Sequence, residues 1–374
     1  MQIGKDFAAL LSLTIFLATL GTVVGKFPYP WSFDDTYGHG ICQGSGDVHH
    51  TTFDDWRSID FQGPCLYTLT RLCCGSCNKK EDKFCPLTDF HVKIKQRPVG
   101  TPAYPLAYVD YIVVEICGYS VILDEGKWAV VETTHANYLS NPFTTYSSSV
   151  LSLPRVWNCE GGTQFKLSKW GTNGIQFETK FMIIYNMPAF VKVKLSKKYK
   201  SKVCGICGNF NGIAKDDLVT RDGIDVSGYP DGFIWSVADT HIGNSWKVYN
   251  PGQPDCKELD PSKIPTTWKG KREVSPEPSA LCETYLAQNK AMIKYCSPKD
   301  IEYALQECNE DAKASNLVSQ AAIKEAICAA MVQMMANCPV SRTSEGGSLE
   351  ELSKKYGCYQ QSIVREAARL SDRQ

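Results

Sequence analysis

Lys202-Val203-Cys204-Gly205-Ile206-Cys207-Gly208-Asn209-Phe210-Asn211-Gly212, with Asp216-Asp217 close behind, is the stretch on which the reading of this chain turns. Asn209, Asn211, Asp216 and Asp217 place four side-chain oxygen donors within nine residues, and Gly212 permits a tight turn between them. Oxygens at the first and third positions of a loop, with carboxylates further on, can curl around a hard cation that takes six to eight oxygens. The same residues also make a plain turn followed by a solvated acidic pair, and spacing alone leaves both readings open. Two carboxylates only part-neutralise a divalent ion. Cys204 and Cys207 share the spacing of thioredoxin-like redox pairs, but such pairs open a helix in a βαβ unit, a context absent here. The other reading is that each cysteine bonds a distant partner.

On either side of this stretch the pattern is that of strands. Phe90-His91-Val92-Lys93-Ile94-Lys95 and Phe190-Val191-Lys192-Val193-Lys194-Leu195 alternate apolar and polar residues, as half-buried strands do. Tyr111–Glu115, Val121–Leu123 and Trp128–Glu132 are short β-branched or aromatic runs, with Asp124-Glu125-Gly126-Lys127 as a hairpin turn between the last two. Ile175–Tyr185 reads as a strand or strand pair. Many short strands separated by turn residues predict an all-β, sandwich-like domain.

Composition narrows the function classes. The chain has 374 residues, is 43% hydrophobic, and carries Lys+Arg 40 against Asp+Glu 40. It can bury a core, and its balanced charge removes the electrostatic case for nucleic acid, which needs a basic face. The local run Lys194-Leu195-Ser196-Lys197-Lys198-Tyr199-Lys200 reads as a solvated strand end. Seventeen cysteines point to an oxidising compartment. Lys5, an uncharged apolar run from Phe7 to Val24, and small residues at Val23 and Gly25 predict a secretory signal peptide over residues 1–25. A membrane anchor is the alternative, since the run reaches the lower edge of a spanning length. After removal of the signal no membrane span is expected, and the absence of any Asn-X-Ser/Thr sequon predicts no N-glycan.

Residues 257–278 read as a Pro-rich linker, with Pro261, Pro265, Pro276 and Pro278 breaking ladders and helices. Lys269-Gly270-Lys271-Arg272 within it is either a solvated basic stretch or a convertase-like cleavage site. Beyond it, Ser297-Pro298-Lys299-Asp300 and the capping box Ser348-Leu349-Glu350-Glu351 announce helices, and Val318, Ala322, Ala326, Ala329 and Met334 recur at helical spacing. Residues 279–374 are thus expected to form a small helical, cysteine-rich module.

A second motif lies near the start, running from Cys42 through Gly46-Asp47-Val48-His49, Thr52-Phe53-Asp54 and Phe61-Gln62-Gly63-Pro64-Cys65 to Cys74. Together with the stretch from Lys202 to Gly212 and the later Gly243-Asn244-Ser245-Trp246-Lys247-Val248, it closely resembles the von Willebrand factor type D domain over about residues 40–256. With its flanks, residues 26–256 are taken as the domain. The resemblance implies a Ca²⁺ site made of Asp54, Asn209, Asn211, the Ile213 carbonyl, Asp216 and Asp217. Three carboxylates against Ca²⁺ leave net −1, and the set offers zinc or copper no soft ligand. It also implies the disulfides Cys42–Cys207, Cys65–Cys256, Cys74–Cys204 and Cys77–Cys85, with Cys117–Cys159 a further expectation. One cysteine of the odd total is left over. Cys73 is the expected odd residue, which raises either a disulfide-linked homodimer or a buried inert thiol.

The tail, with Cys282, Cys296, Cys308, Cys328 and Cys338, resembles a degenerate form of the eight-cysteine module that often follows a type D domain; Asn309-Glu310-Asp311 stands where adjacent cysteines are usual. The resemblance therefore implies a mainly β chain, a type D sandwich-like domain followed by a small disulfide-bonded α-helical domain, from a short secreted relative of mucins and zonadhesin. The expected role is structural or interactive, in matrix, mucus, adhesive or mineral-associated material, with extracellular proteins or matrix as partners. Two alternatives stand beside it: a secreted enzyme, luciferase-like or a thiol oxidoreductase, and a soluble binding module or inhibitor. No nucleophile, phosphate loop or zinc-protease motif speaks for an enzyme. His39, His49 and His50 are read either as structural hydrogen-bonding groups or as a His-rich metal site.

Overall fold

A computed structural model describes residues 33–263, apart from several short segments of which the longest are 74–88, 99–106, 133–144 and 227–236, together with a few positions between 282 and 309. The signal peptide expected over residues 1–25, most of the linker and nearly all of the helical module lie outside the described residues.

The strands are β1 (His39–Ser45), β2 (His49–Thr51), β3 (Ser58–Asp60), β4 (Leu66–Leu72), β5 (Phe90–Pro98), β6 (Ala107–Ile116), β7 (Tyr119–Asp124) and β8 (Lys127–Glu132). Then come β9 (Thr145–Ser147), β10 (Arg155–Asn158), β11 (Gln164–Trp170), β12 (Gly174–Glu178), β13 (Met182–Met187), β14 (Phe190–Ser196) and β15 (Val203–Cys204). An α-helix, α1, spans Val237–Ser245. The alternating segments form strands as their pattern predicts. On β5, Val92 and Ile94 are buried while His91 and Lys93 are half-buried on the other face. Asp124 and Lys127 face each other across the expected hairpin, and Ile175–Tyr185 resolves into the paired strands β12 and β13.

Two antiparallel sheets result, ordered β10-β11-β12-β13-β14-β1-β2-β3 and β15-β4-β5-β6-β7-β8-β9. Each is largely a meander of neighbouring hairpins, and each has one long-range joint. In the first, β1 lies along β14, with Cys42 opposite Val193. In the second, β15 returns to β4, with Val203 opposite Leu72 and Cys204 opposite Arg71. The chain therefore leaves one sheet at Ser196 and enters the other at Val203, in both cases against its earliest strands. The inner faces share one core that includes Val193, Leu195, Ile94, Ile112 and Val114.

Helix α1 is a departure from the all-β expectation for this region. Ala238 and Ile242 are buried, and Gly243 sits on the ring of Phe61, where a Cβ would come within 2.3 Å of ring carbons. After the helix the chain runs along the free edge of β4: Thr68 N donates to Trp246 O at 2.8 Å, and Val248 N to Leu66 O at 2.9 Å. The Cys65–Cys256 bridge fastens this return, and Asn244 Nδ2 donates to Leu259 O at 2.7 Å, so the first residues of the linker lie on α1.

Candidate functional site

The loop after β15 is anchored before it turns. Ile206 N donates to Thr68 O at 3.2 Å and Cys207 N to Leu69 O at 3.0 Å, which lays Gly205 on the backbone of β4. Gly205 has φ +143°, and a Cβ there would stand 2.4 Å from Leu69 O, so only glycine lets the two backbones approach this closely. Phe53 N donates to Cys207 O at 3.0 Å, and Cys207 is bonded to Cys42. Next to these anchors the rings of Phe53 and Phe210 pack with centroids 5.1 Å apart, both buried. Each ring is flanked in sequence by polar residues, Asp54 on one side and Asn209 and Asn211 on the other. Burying the aromatic pair thus brings those polar groups together at the surface.

Asp54 Oδ2 accepts from Asn211 N at 2.8 Å and Asp54 Oδ1 from Gly212 N at 2.7 Å, across 157 residues of sequence. Asn209 Oδ1 accepts from Asn211 N at 3.0 Å, and Asn211 Oδ1 from Ile213 N at 2.7 Å. Asn211 Nδ2 donates to Asp216 Oδ2 at 2.6 Å, and Asp216 N to the Ile213 carbonyl at 3.3 Å. Asp217 Oδ1 accepts from Asn209 N at 3.0 Å. Asp54, Asn209, Asn211, Ile213, Asp216 and Asp217, the six residues of the expected cation site, are therefore neighbours in one hydrogen-bonded loop.

Asp217 is the most constrained of them. Its carboxylate lies against Gly208, where a Cβ would stand 2.1 Å from Oδ1. Oδ2 is buried and has no hydrogen-bond partner among the described residues. Burial pushes the Asp217 carboxyl up to about 7, against hydrogen bonds from Thr52 and Asn209, and the charges of Asp54 and Asp216 raise it further. An acid so placed is short of positive charge. Among the described residues no three or more His, Cys, Asp or Glu side chains are gathered closely enough to hold a metal by themselves. Any cation here would have to use the amide and carbonyl oxygens of Asn209, Asn211 and Ile213 beside the carboxylates. That donor set is all oxygen and suits a hard ion.

The cysteines require one correction. The described bridges are Cys42–Cys207, Cys65–Cys256, Cys73–Cys204, Cys117–Cys159 and, in the tail, Cys282–Cys308. Cys204 is joined to Cys73, not to Cys74. The register explains why: Arg71 is opposite Cys204, and alternation returns the side chain to that face at residue 73. Cys73 is accordingly not the odd cysteine, and the dimer expectation loses the residue it rested on. Cys74 and the expected Cys77–Cys85 pair lie outside the described residues. Cys204 and Cys207 each hold a distant partner, and β15 opens no helix, so neither is a free thiol poised for exchange.

The histidines do not gather either. His39 Nδ1 lies 2.7 Å from Asp35 Oδ1 and His49 Nδ1 2.7 Å from Asp60 Oδ1, while His50 Nε2 lies 3.0 Å from Gln96 Nε2 of the other sheet. Burial, aided by the neighbouring His49, holds His50 down to about 3, a neutral imidazole that ties the sheets together. Among the described residues no helix is long and apolar enough to cross a membrane.

Comparison with known proteins agrees with this architecture. Residues 42–224 match the family model of the von Willebrand factor type D domain. Human IgGFc-binding protein is 28% identical over 230 residues, 61% of this chain and 4% of that protein. Human mucin-5AC is 25% identical over 237 residues, 63% of this chain and 3% of the mucin. Zonadhesin of Oryctolagus cuniculus is 26% identical over 324 residues, 85% of this chain and 11% of that protein, a likeness that runs past the matched domain. The chain spans between 3% and 11% of the length of these relatives. Over residues 42–224, then, this chain is similar to the von Willebrand factor type D domain.

Proposed function

We propose that the chain is a secreted, disulfide-stapled structural or adhesive component of extracellular material, whose type D domain is ordered by Ca²⁺, and that it is not an enzyme. The observation that carries the reading is the contact of Asp54 with the Asn211 and Gly212 amides, together with the unpartnered, buried Oδ2 of Asp217. Asp54 brings the third carboxylate, Asp217 supplies an oxygen already stripped of water, and Asn209, Asn211 and the Ile213 carbonyl provide neutral oxygens on the same loop. A bound cation neutralises the charge that burial and mutual repulsion now set against Asp217. In this role the loop is a clasp: it joins the residues after β2 to those after β15, so binding stabilises the joint between the two sheets. The densely bridged cysteines and the mucin and zonadhesin relatives support a passive scaffold in matrix, mucus or an adhesive layer, contacting extracellular proteins or matrix.

The test is thermal unfolding and calorimetric titration of the purified protein with Ca²⁺ and with chelator. A ligand present at a hundred times its Kd adds about 2.7 kcal/mol. The wild type should melt higher in calcium. Asp54→Ala should lose that increment while differing less from the wild type in chelator. Equal losses for Asp54→Ala in calcium and in chelator, with no heat of binding to the wild type, would reject the site.

A further inference from the structure

Six lysines crowd one end of the first sheet: Lys180 in the turn between β12 and β13, Lys194 on β14, and Lys197, Lys198, Lys200 and Lys202 around the 3-10 turn Lys197–Tyr199 that follows it. In a chain whose charges balance at 40 against 40, this is a local excess. Two carboxylates answer it, Asp34 at 3.2 Å from Lys198 Nζ and Asp35 at 3.4 Å from Lys194 Nζ. Lys180, Lys197, Lys200 and Lys202 are exposed and have no carboxylate partner among the described residues.

Other contacts hold the like charges side by side. Lys198 Nζ and Lys180 Nζ both lie over the ring of Phe181, at 4.3 and 5.5 Å from its centroid. Lys202 Nζ donates to Lys198 O at 3.1 Å. Lys197 rests on Gly38 and Lys200 on Gly212, where an added Cβ would come within 3.4 and 3.3 Å of their ammonium nitrogens. The side chains are laid down on the fold and partly ordered in advance, which lowers the entropy lost when a partner docks.

We propose that this lysine ridge docks a sulfated polysaccharide. The partner must be a polyanion, since six ammonium groups gather about one turn and only two carboxylates answer them. All six groups are lysines, compact point charges that can each answer one anionic group along a flexible chain. No stacking platform for bases accompanies them, because Tyr199 is buried and Phe181 lies beneath two ammonium groups. One exposed aliphatic nearby, Ile213, is too little to anchor a membrane surface. The inference rests on the extracellular reading above, because sulfated polysaccharides are found outside the cell. It does not rest on the cation, since the ridge needs none.

The experiment is surface plasmon resonance of the full chain on immobilised heparin, in chelator and over a series of NaCl concentrations. Binding should weaken linearly in log–log form as salt rises. Lys197→Glu/Lys200→Glu/Lys202→Glu should lose roughly tenfold or more in affinity and show a shallower salt dependence, at an unchanged melting temperature. Lys197→Gln/Lys200→Gln/Lys202→Gln replaces it if the charge reversal does not fold, and Lys169→Glu on β11 is the control that should bind as the wild type does. Desulfated heparin should bind more weakly than heparin. Heparin binding that fails in chelator, or is the same in both triple variants, overturns the ridge. Tighter capture by anionic vesicles or duplex DNA overturns the choice of partner. Loss of calcium binding alone would leave these outcomes untouched, so the two readings fail separately.

Discussion

Gly40 of β1 is the position from which the loop Asn209–Asp217 can be disturbed without touching any of the residues proposed to hold a cation. A Cβ at Gly40 would stand 2.5 Å from Phe210 Cε2, 2.7 Å from Cζ and 3.1 Å from Cδ2. Carbon atoms in ordinary contact need about 3.5–4.0 Å, so in Gly40→Ala the ring must retreat by roughly 1 Å. Its way is blocked by Phe53, whose centroid is 5.1 Å off, and its backbone is tied by the bond from Ser201 N to Phe210 O at 2.9 Å. Replacing a strand glycine ordinarily gains about 0.4–1 kcal/mol by stiffening the unfolded chain. Overpacking a filled core costs about 1–3 kcal/mol. The clash should win, for a net loss of about 1–2 kcal/mol and a drop in Tm of roughly 3–6 °C. Urea unfolding with the disulfides intact measures the first and thermal unfolding the second. Phe210→Leu in the same background should relieve the clash, so the two changes are expected to be non-additive. Because Asn209 and Asn211 flank the displaced ring, the increment proposed for calcium should also shrink. A Gly40→Ala protein that is as stable as the wild type in chelator would mean the ring has room to move, and the account of how the loop is positioned would fall.

Two further outcomes follow from the same geometry. His50 is held neutral in the native state, with its pKa lowered to about 3 from an ordinary 6.5. The unfolded chain therefore takes up the proton first, and stability is full above about pH 6.5 and declines from there toward pH 3. At pH 4.5 this one group should cost about 3 kcal/mol relative to neutral pH, and His50→Gln should flatten that part of the denaturation profile; an unchanged profile would refute its burial as a neutral base. Non-reducing peptide mapping should recover Cys204 linked to Cys73, and Cys73→Ser should destabilise the domain more than Cys74→Ser, with the reverse order reinstating the pairing drawn from resemblance.

Much of this protein could be read from residue order alone, because the relevant physics is local. Alternation in Phe90–Lys95 and Phe190–Leu195 follows from the two-residue period of a strand with one buried face, and these segments became β5 and β14. The oxygen donors from Asn209 to Asp217 lie on one loop because they are adjacent in the chain. Helix α1 was missed for the same reason in reverse. It has nine residues and carries Gly243 near its end, so its own propensity is weak, and it is the Phe61 ring against that glycine and the edge of β4 beside it that hold it in place.

What the tertiary structure alone decided are the questions of facing and distance. Cys73 and Cys74 are chemically identical neighbours, and only the register of β15 on β4, which sets the side of the sheet each position faces, selects the first. The contact of Asp54 with Asn211 spans 157 residues, and no local periodicity encodes a packing event between Phe53 and Phe210. Likewise the run of lysines is a mere string of charge in the sequence. It joins a wider cluster because Phe181, from a neighbouring turn, lies under Lys198 of the run and under Lys180 beside it in that turn. Periodicity determines what a segment becomes, while burial across the two sheets determines which distant groups meet.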